Sequence, residues 1–454
     1  MFTLDDTIAA ISTPIGQGGI GIVRLSGPDA WTIAEALFQP ARGSFGDRVR
    51  PNRLVYGHIV APDEGRCVDE VLLSSMRAPH TYMRQDVIEI NGHGGPLPLQ
   101  EILRLCLAQG ARPAEPGEFT LRAFVNGRLD LAQAEAVLDV IEAKTAASLR
   151  VAVEQLGGRL SHRVRDVRNK LLALLAYLVA TIDFHDQEIP EQDVEGPLRE
   201  AQADLLALQR EAERGLIYRQ GVRVAIVGRP NVGKSSLLNA LLRSERAIVT
   251  AIPGTTRDTL EETINLGGIP VVVVDTAGIG QTEDPVERIG VARSRAAVER
   301  ADLVLLMIDG SEPLQTADHD VAALCEEKPT LVLHNKCDLP AIAQDPLLPA
   351  VPHRDISALS GEGLDALETA LRDLILGGVQ GGSEPLASNP RHRDLFRQAG
   401  EHVDDALDGL AAGATNDLLS IDVSEAVEAL GQVTGESAGE ELLTTLFGRF
   451  CIGK

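Results

Sequence analysis

The sequence predicts a multidomain chain: an α+β segment first, then an α-helical domain made from two separated stretches, with an α/β segment inserted between them. Three observations predict it. Val222–Val227 is a β-branched run followed by Gly228-Arg229-Pro230-Asn231-Val232-Gly233-Lys234-Ser235 and then by the helical composition of 236–242, so strand, glycine loop and helix come in βα order. On either side, 119–215 and the stretch from 389 repeat apolar residues at helical spacing. The first 118 residues instead alternate short β-rich runs, broken by Gly and Pro, with helical pieces.

The glycine loop carries the chemistry. Small residues let the backbone curl until its N–H groups point inward at the positive end of a helix, which is what a phosphate requires. Lys234 then reaches the β- and γ-phosphates and Ser235 offers a hydroxyl to Mg²⁺. Further on, Val271–Val274 runs into Asp275-Thr276-Ala277-Gly278, an apolar strand ending in an acid that can hold Mg²⁺ through water and a glycine whose N–H can sense the γ-phosphate. Residues 330–333 lead into His334-Asn335-Lys336-Cys337-Asp338. The Asp338 carboxylate can accept from both N1 and the 2-amino group of guanine, a donor pair that adenine lacks. Ser357, Ala358 and Leu359 complete the base pocket. Four motifs in this order resemble the GTPases of the translation-factor class, so the inserted segment is expected to be a P-loop GTPase (Ras-like) domain that takes GTP as substrate.

Taken in order, 7–11, 19–27 and 86–91 are expected strands, with helices at Ala30–Leu37 and 97–109. Gly18-Gly19-Ile20-Gly21 is weak evidence for a phosphate loop, since no long helix follows. Asp130-Leu131-Ala132-Gln133 reads as a capping box opening a helix whose Leu131, Ala134, Leu138 and Ile141 share a face. A second helix over 160–182 carries Arg159, Arg163, Arg165, Arg168 and Lys170 beside its apolar stripe, and a cluster of this kind reads as a solvated face. A third, 195–215, delivers the chain to the GTPase strand; 377–383 is a linker, and helices resume at 389–412, 417–434 and 439–450. The expected boundaries are 1–118, 119–215, 216–378 and 379–454.

Composition bounds what remains. The 454 residues suggest about three domains. Lys and Arg total 42 against 66 Asp and Glu, a net charge of −24, so nucleic acid is not expected to bind through global charge and any RNA contact must use a local patch. Cys67, Cys106, Cys325, Cys337 and Cys451 show no paired metal-ligand spacing and suit a reducing compartment. Asp5 and Asp6 stand where a secretory signal would be basic, and the most apolar run, 171–182, is far shorter than the ~20 residues needed to span a bilayer. A soluble, cytoplasmic protein with no membrane association is expected.

Six further stretches carry a closer likeness: Asp6-Thr7-Ile8-Ala9-Ala10, Gly92-His93-Gly94-Gly95, Pro116-Gly117-Glu118-Phe119-Thr120, Asn126-Gly127-Arg128-Leu129-Asp130-Leu131, Gly254-Thr255-Thr256-Arg257-Asp258 and the terminal Phe450-Cys451-Ile452-Gly453-Lys454. With these the chain resembles the tRNA modification GTPase MnmE (TrmE) family over essentially its full length. The resemblance implies a homodimer working with the FAD- and NADH-using MnmG (GidA) partner in a heterotetramer. Together they would build aminomethyl or carboxymethylaminomethyl groups on C5 of the wobble uridine of certain tRNAs. It implies an N-terminal domain that dimerises and binds 5,10-methylene- or 5-formyl-tetrahydrofolate through Arg24, Glu89, Arg128 and Lys454. Arg128 stands where family members often have Lys, which keeps the charge and changes the geometry. A plain Arg24–Glu89 salt bridge is the alternative for that pair.

For hydrolysis, Ile279 follows Asp275–Gly278 where Ras-like proteins place the water-orienting glutamine, so another group must orient water. The resemblance points to Glu287, acting through a second water; an exposed helix carboxylate is its alternative. Arg257 could be a finger or a loop salt bridge. Asn231 offers a side-chain oxygen to a monovalent cation, which in the family is K⁺, completed near Thr250 and Ile252 and held by the loop through Thr255, while Thr256 joins Ser235 on Mg²⁺. The nucleotide is thus expected against 231–236, against Thr250, Ala251, Ile252, Pro253, Gly254, Thr255 and Thr256, and against Asp275–Gly278, Asn335, Lys336, Asp338 and Ser357–Leu359, including Val232, Gly233, Ser236, Thr276, Ala277, Gly278 and Ala358. Cys451 near the folate site is a candidate catalytic thiol, its alternative being simple packing. Two other classes remain: a ribosome-assembly GTPase, which would need an RNA module the tail lacks, and a folate-binding regulatory scaffold.

Overall fold

The structure, a computed structural model, describes residues 5–184, 189–243, 262–274, 287–342, 346–377 and 387–454. It resolves into two compact units: Met1–Leu138 with Ser161–Arg168 and Val427–Lys454, and Asp139–Leu160 with Asn169–Ala426.

The N-terminal stretch folds as β1 (Ile8–Ile11), β2 (Gly18–Ser26), α1 (Ala30–Leu37), β3 (Phe38–Pro40), α2 (Phe45–Arg48), β4 (Arg53–Val60), β5 (Cys67–Met76), β6 (Val87–Gly94), α3 (Pro96–Ala108) and β7 (Arg112–Pro113). The strands form one sheet in the order β3-β4-β5-β6-β2-β1-β7. β2 and β6 run antiparallel with Arg24 opposite Glu89, which sets a cation and a carboxylate on the same face. Val23, Leu25, Ile88 and Ile90 alternate with them into a core shared with α1 and α3. Strands β4 and β5 are not singled out by sequence pattern, because Leu54, Tyr56 and Leu72 are apolar yet exposed and blur the alternation.

Helices follow: α4 (Glu118–Val125), α5 (Leu131–Glu142), α6 (Ala146–Leu156), α7 (Arg159–Asp183) and α8 (Glu195–Gln220). The capping box at α5 forms as expected, Gln133 N–H donating to Asp130 Oδ1 and Asp130 N–H to Gln133 Oε1, each at 3.0 Å. The helix expected to close at Gly215 runs on to Gln220. Gly215 is instead a crossing point: a Cβ there would lie 1.7 Å from the Ala387 carbonyl oxygen, so only glycine lets the returning chain touch α8.

Next come β8 (Val222–Val227), α9 (Lys234–Arg243), β9 (Glu262–Leu266), β10 (Ile269–Val274), α10 (Glu287–Arg300), β11 (Leu303–Asp309), α11 (Thr316–Ala323), β12 (Thr330–Asn335), β13 (His353–Asp355) and α12 (Leu364–Ile375). Their sheet order is β13-β12-β11-β8-β10-β9, parallel except for β9. β11 is buried at every position, the mark of a parallel strand covered on both faces. The chain closes with α13 (Pro390–Ala411), α14 (Asn416–Thr434) and α15 (Glu440–Phe447). α13 packs along α8, with Gln202 bonded to Asp404 at 2.6 Å, and α14 is pinned to α7 by Asn416 donating to the Thr181 hydroxyl at 2.8 Å.

Candidate functional site

β8 delivers the glycine loop and α9 receives it, so the loop sits at a strand's C-terminal end and a helix's N-terminal end, where backbone dipoles favour an anion. Asn231 holds a left-handed φ of 64°. Gly233 (φ 105°) has no room for a side chain, since a Cβ would fall 2.1 Å from Asn335 Nδ2. Lys234 Nζ donates to the loop's own carbonyls, Gly228 O at 2.8 Å and Arg229 O at 2.7 Å. Burial lowers the pKa of its ammonium, a cost that a phosphate beside it would offset. Arg229 reaches outward to Glu312 at 2.6 Å and Asp318 at 3.4 Å.

At the same edge of the sheet, two strands from β8, Asn335 closes β12. Its amide donates to Val232 O at 2.7 Å and its Oδ1 accepts from Ala358 N–H at 2.9 Å, so Asn335, Val232 and Ala358 are brought together in one buried knot. Lys336 follows with φ 68° and pairs with the buried Asp309 at 2.5 Å. Burial pushes the Asp309 carboxyl up, but Lys336 and Ser311 outweigh it and hold it below its usual range. Asp338 is exposed, Ser357 is fully buried and Leu359 is exposed. The residues around Asn335 are therefore tied together while the Asp338 side chain is exposed. Thr250–Thr256, Arg257, Asp275–Gly278 and Ile279 lie outside the described residues; Glu287 opens α10, and its side chain lies outside them too.

A second polar site lies on the N-terminal sheet. Arg24 Nε pairs with Glu89 Oε1 at 2.9 Å, and Arg24 Nη1 donates to the Gly453 carbonyl at 3.2 Å, which brings the C-terminal tail to β2. The Arg24 guanidinium lies 5.5 Å from the centre of the Phe119 ring, within cation–π range. Tyr82 belongs with this group, and sequence reasoning missed it, since a lone tyrosine carries no motif. Its hydroxyl lies 3.3 Å from Thr120 Oγ1. Burial raises its pKa, while Thr120, Arg24 and Arg128 pull it down. Arg128 itself is exposed and borders a cavity of about 300 Å³ with Asp130, Gln133 and Arg165.

The tail is anchored by Phe450, buried and 5.5 Å from the Phe447 ring centre, so that exposed Cys451 and half-buried Lys454 follow a fixed point. Burial pushes the thiols of Cys106 and Cys325 up to about 12 and about 11, which leaves them unreactive. The basic residues of α7 do not form an open patch: Arg165 pairs with Asp130 and Arg168 with Glu436, each at 2.6 Å, and Lys170 with Asp204 at 3.1 Å. Among the described residues no helix is long and apolar enough to cross a membrane.

Comparison with known proteins places the chain in a family. Residues 7–128 match the family model of the GTP-binding protein TrmE N-terminus, and residues 131–451 that of the MnmE helical domain. The tRNA modification GTPase MnmE of Chloroflexus aurantiacus is 52% identical over 99% of this chain and 100% of its own, and that of Roseiflexus sp. is 51% identical over 99% of each. The G domain of the T. maritima FeoB iron transporter aligns with 34% of this chain and 98% of its own at 24% identity, with a TM-score of 0.24. Matched along its whole length at this identity, the chain belongs to the MnmE family of tRNA modification GTPases.

Proposed function

We propose that this GTP hydrolase couples K⁺-dependent turnover of GTP to the addition of an aminomethyl or carboxymethylaminomethyl group to C5 of the wobble uridine in certain tRNAs. It would act in the cytoplasm as a homodimer, in a heterotetramer with the FAD-dependent MnmG (GidA) subunit. The observation that carries the reading is the coexistence, in one chain of this family, of a phosphate loop knotted to a base loop through Asn335 with a separate polar site of Arg24, Glu89, Tyr82 and the tail.

In this reading 216–378 is the GTPase domain, inserted between the helical stretches 119–215 and 379–454, and 1–118 is the tetrahydrofolate-binding and dimerisation domain. The donor set of the N-terminal site fits a folate: Arg24, Arg128 and Lys454 suit carboxylates, and Glu89 suits the amino edge of a pterin. Arg24 and Glu89 hold each other at 2.9 Å, so the ligand would share or part that pair. When bound, the 5,10-methylene- or 5-formyl-tetrahydrofolate supplies the one-carbon group. At the nucleotide, Ser235 and Thr256 would hold Mg²⁺, and Asn231 with Thr250, Ile252 and Thr255 would hold K⁺, oxygen donors suited to hard cations. The K⁺ would supply positive charge where a finger arginine would otherwise stand. Glu287 would orient the attacking water and Cys451 would act at the one-carbon site. Mass spectrometry of tRNA nucleosides from cells lacking the protein tests this: loss of the modified wobble uridine, restored by the intact chain, is expected, and an unchanged nucleoside profile overturns it.

A further inference from the structure

Asp139 on α5 is 5% exposed and sits where separate stretches of chain meet. Its Oδ1 lies 2.8 Å from Nη2 of Arg219, and its Oδ2 lies 3.2 Å from the Ser388 hydroxyl. That hydroxyl also lies 3.3 Å from Oε1 of the fully buried Gln155 on α6, so one proton serves two acceptors. Arg219 in turn donates from Nη1 to the Ser388 carbonyl at 3.4 Å.

The positions of these residues in the chain give the cluster its meaning. Arg219 lies in the last turn of α8, three residues before the strand that runs into the phosphate loop. Ser388 immediately precedes Asn389, whose side chain caps α13 by accepting from Arg391 N–H at 3.0 Å. The outgoing and the returning chain are therefore held on one carboxylate supplied by a third helix. A further tie joins the same parts: the Thr145 hydroxyl at the N-cap of α6 donates to Gly268 O in the β9–β10 turn at 2.8 Å. A buried ion pair gains little net stability over apolar packing, and its best-attested use is to fix one arrangement among several.

We propose that Asp139 is a positioning residue for the coupled reaction. It keeps the entry and the exit of the GTPase segment in fixed register with the helices, so that movement at the phosphate loop is transmitted to them. It acts through Arg219 and Ser388 and is not a nucleotide contact. The proposal rests on the reading that GTP turnover drives tRNA modification.

The test compares the intact chain with Asp139→Asn, Arg219→Gln and the double variant, assayed with the partner enzyme and tRNA. GTP KM and kcat are expected to stay within about twofold while wobble-uridine modification falls about tenfold or more, with the double variant no worse than either single. Normal modification by Asp139→Asn overturns the proposal. So does an equal loss of hydrolysis and modification, or single losses that multiply in the double variant. If Asp139→Asn does not fold, Arg219→Lys decides. It keeps the charge without the fork, and a clear loss of modification with unchanged hydrolysis is expected, whereas wild-type behaviour overturns the proposal. Failure of the intact chain to modify tRNA strikes the functional reading instead, so the two failures are distinct.

Discussion

The side-chain amide of Asn335 donates to the main-chain carbonyl of Val232 at 2.7 Å. A residue at the end of β12, in the stretch read as base-binding, thereby braces the loop read as phosphate-binding, and its other end receives Ala358 N–H. Replacing Asn335 by Ala orphans a buried carbonyl and a buried N–H, each worth about 1–3 kcal/mol when left unpaired. GTP affinity is expected to fall by about tenfold or more, read by titration with a fluorescent GTP analogue; affinity within twofold of the parent would show that the brace is dispensable.

Asn231 stands in the loop at φ 64°. If its amide oxygen helps hold K⁺, hydrolysis is expected to be much faster in K⁺ than in Na⁺, and Asn231→Ala to abolish the difference with GTP binding nearly intact. Equal rates in the two salts would remove the cation from the mechanism.

A group that only orients water in the transition state adds little to ground-state affinity. Glu287→Ala is therefore expected to lower kcat with GTP affinity preserved, in single-turnover assays beside equilibrium binding. A loss of affinity as large as the loss of rate would make Glu287 a structural residue.

Of the thiols, Cys67 and Cys451 are exposed while Cys106 and Cys325 are buried with raised pKa values. A charged maleimide is expected to label the first two in the native chain and spare the latter two. Cys451→Ser should then abolish wobble-uridine modification with GTP hydrolysis, folding and folate binding intact. Normal modification by that variant would reduce the tail to packing.

How much of this was legible in the sequence depended on locality. The phosphate loop reads cleanly because strand, loop and helix are contiguous. Asn335 reads as part of its motif, but its bond to Val232 joins residues about a hundred positions apart and has no local signature. The helix expected to end at Gly215 runs on to Gln220, and the glycine instead answers to the close approach of Ala387, a contact with no local signature. Tyr82 and Asp139 could not be found by pattern, since each is a single polar residue whose role comes from partners on distant elements.

The N-terminal unit also carries a pH-sensitive cluster. Glu118, nearly buried, pairs with Arg112 at 2.6 Å and with the fully buried Arg122 at 2.8 Å, and Asp6 shares both arginines. Burial raises the pKa of both carboxyls, but the arginines outweigh it and hold them below their ordinary values. A depressed folded pKa stabilises the fold above the unfolded value of about 4, and that contribution disappears as pH falls through the folded value. Glu118→Gln is expected to cost about 3 kcal/mol at pH 7. The gap to the parent in urea unfolding should close as pH drops below 4; a pH-independent gap would show that the carboxylate's charge is not what stabilises.

Gly215 and Ala387 touch, although 171 residues of chain separate them. A loop whose two ends already meet can be lengthened, shortened or exchanged with little disturbance to what it leaves from, because the closure is supplied by the α8–α13 pair and not by the loop. The contact is thus a splice point in the architecture: the stretch from 216 to 386 could be removed and the cut ends joined by a short bridge with α8 and α13 still side by side.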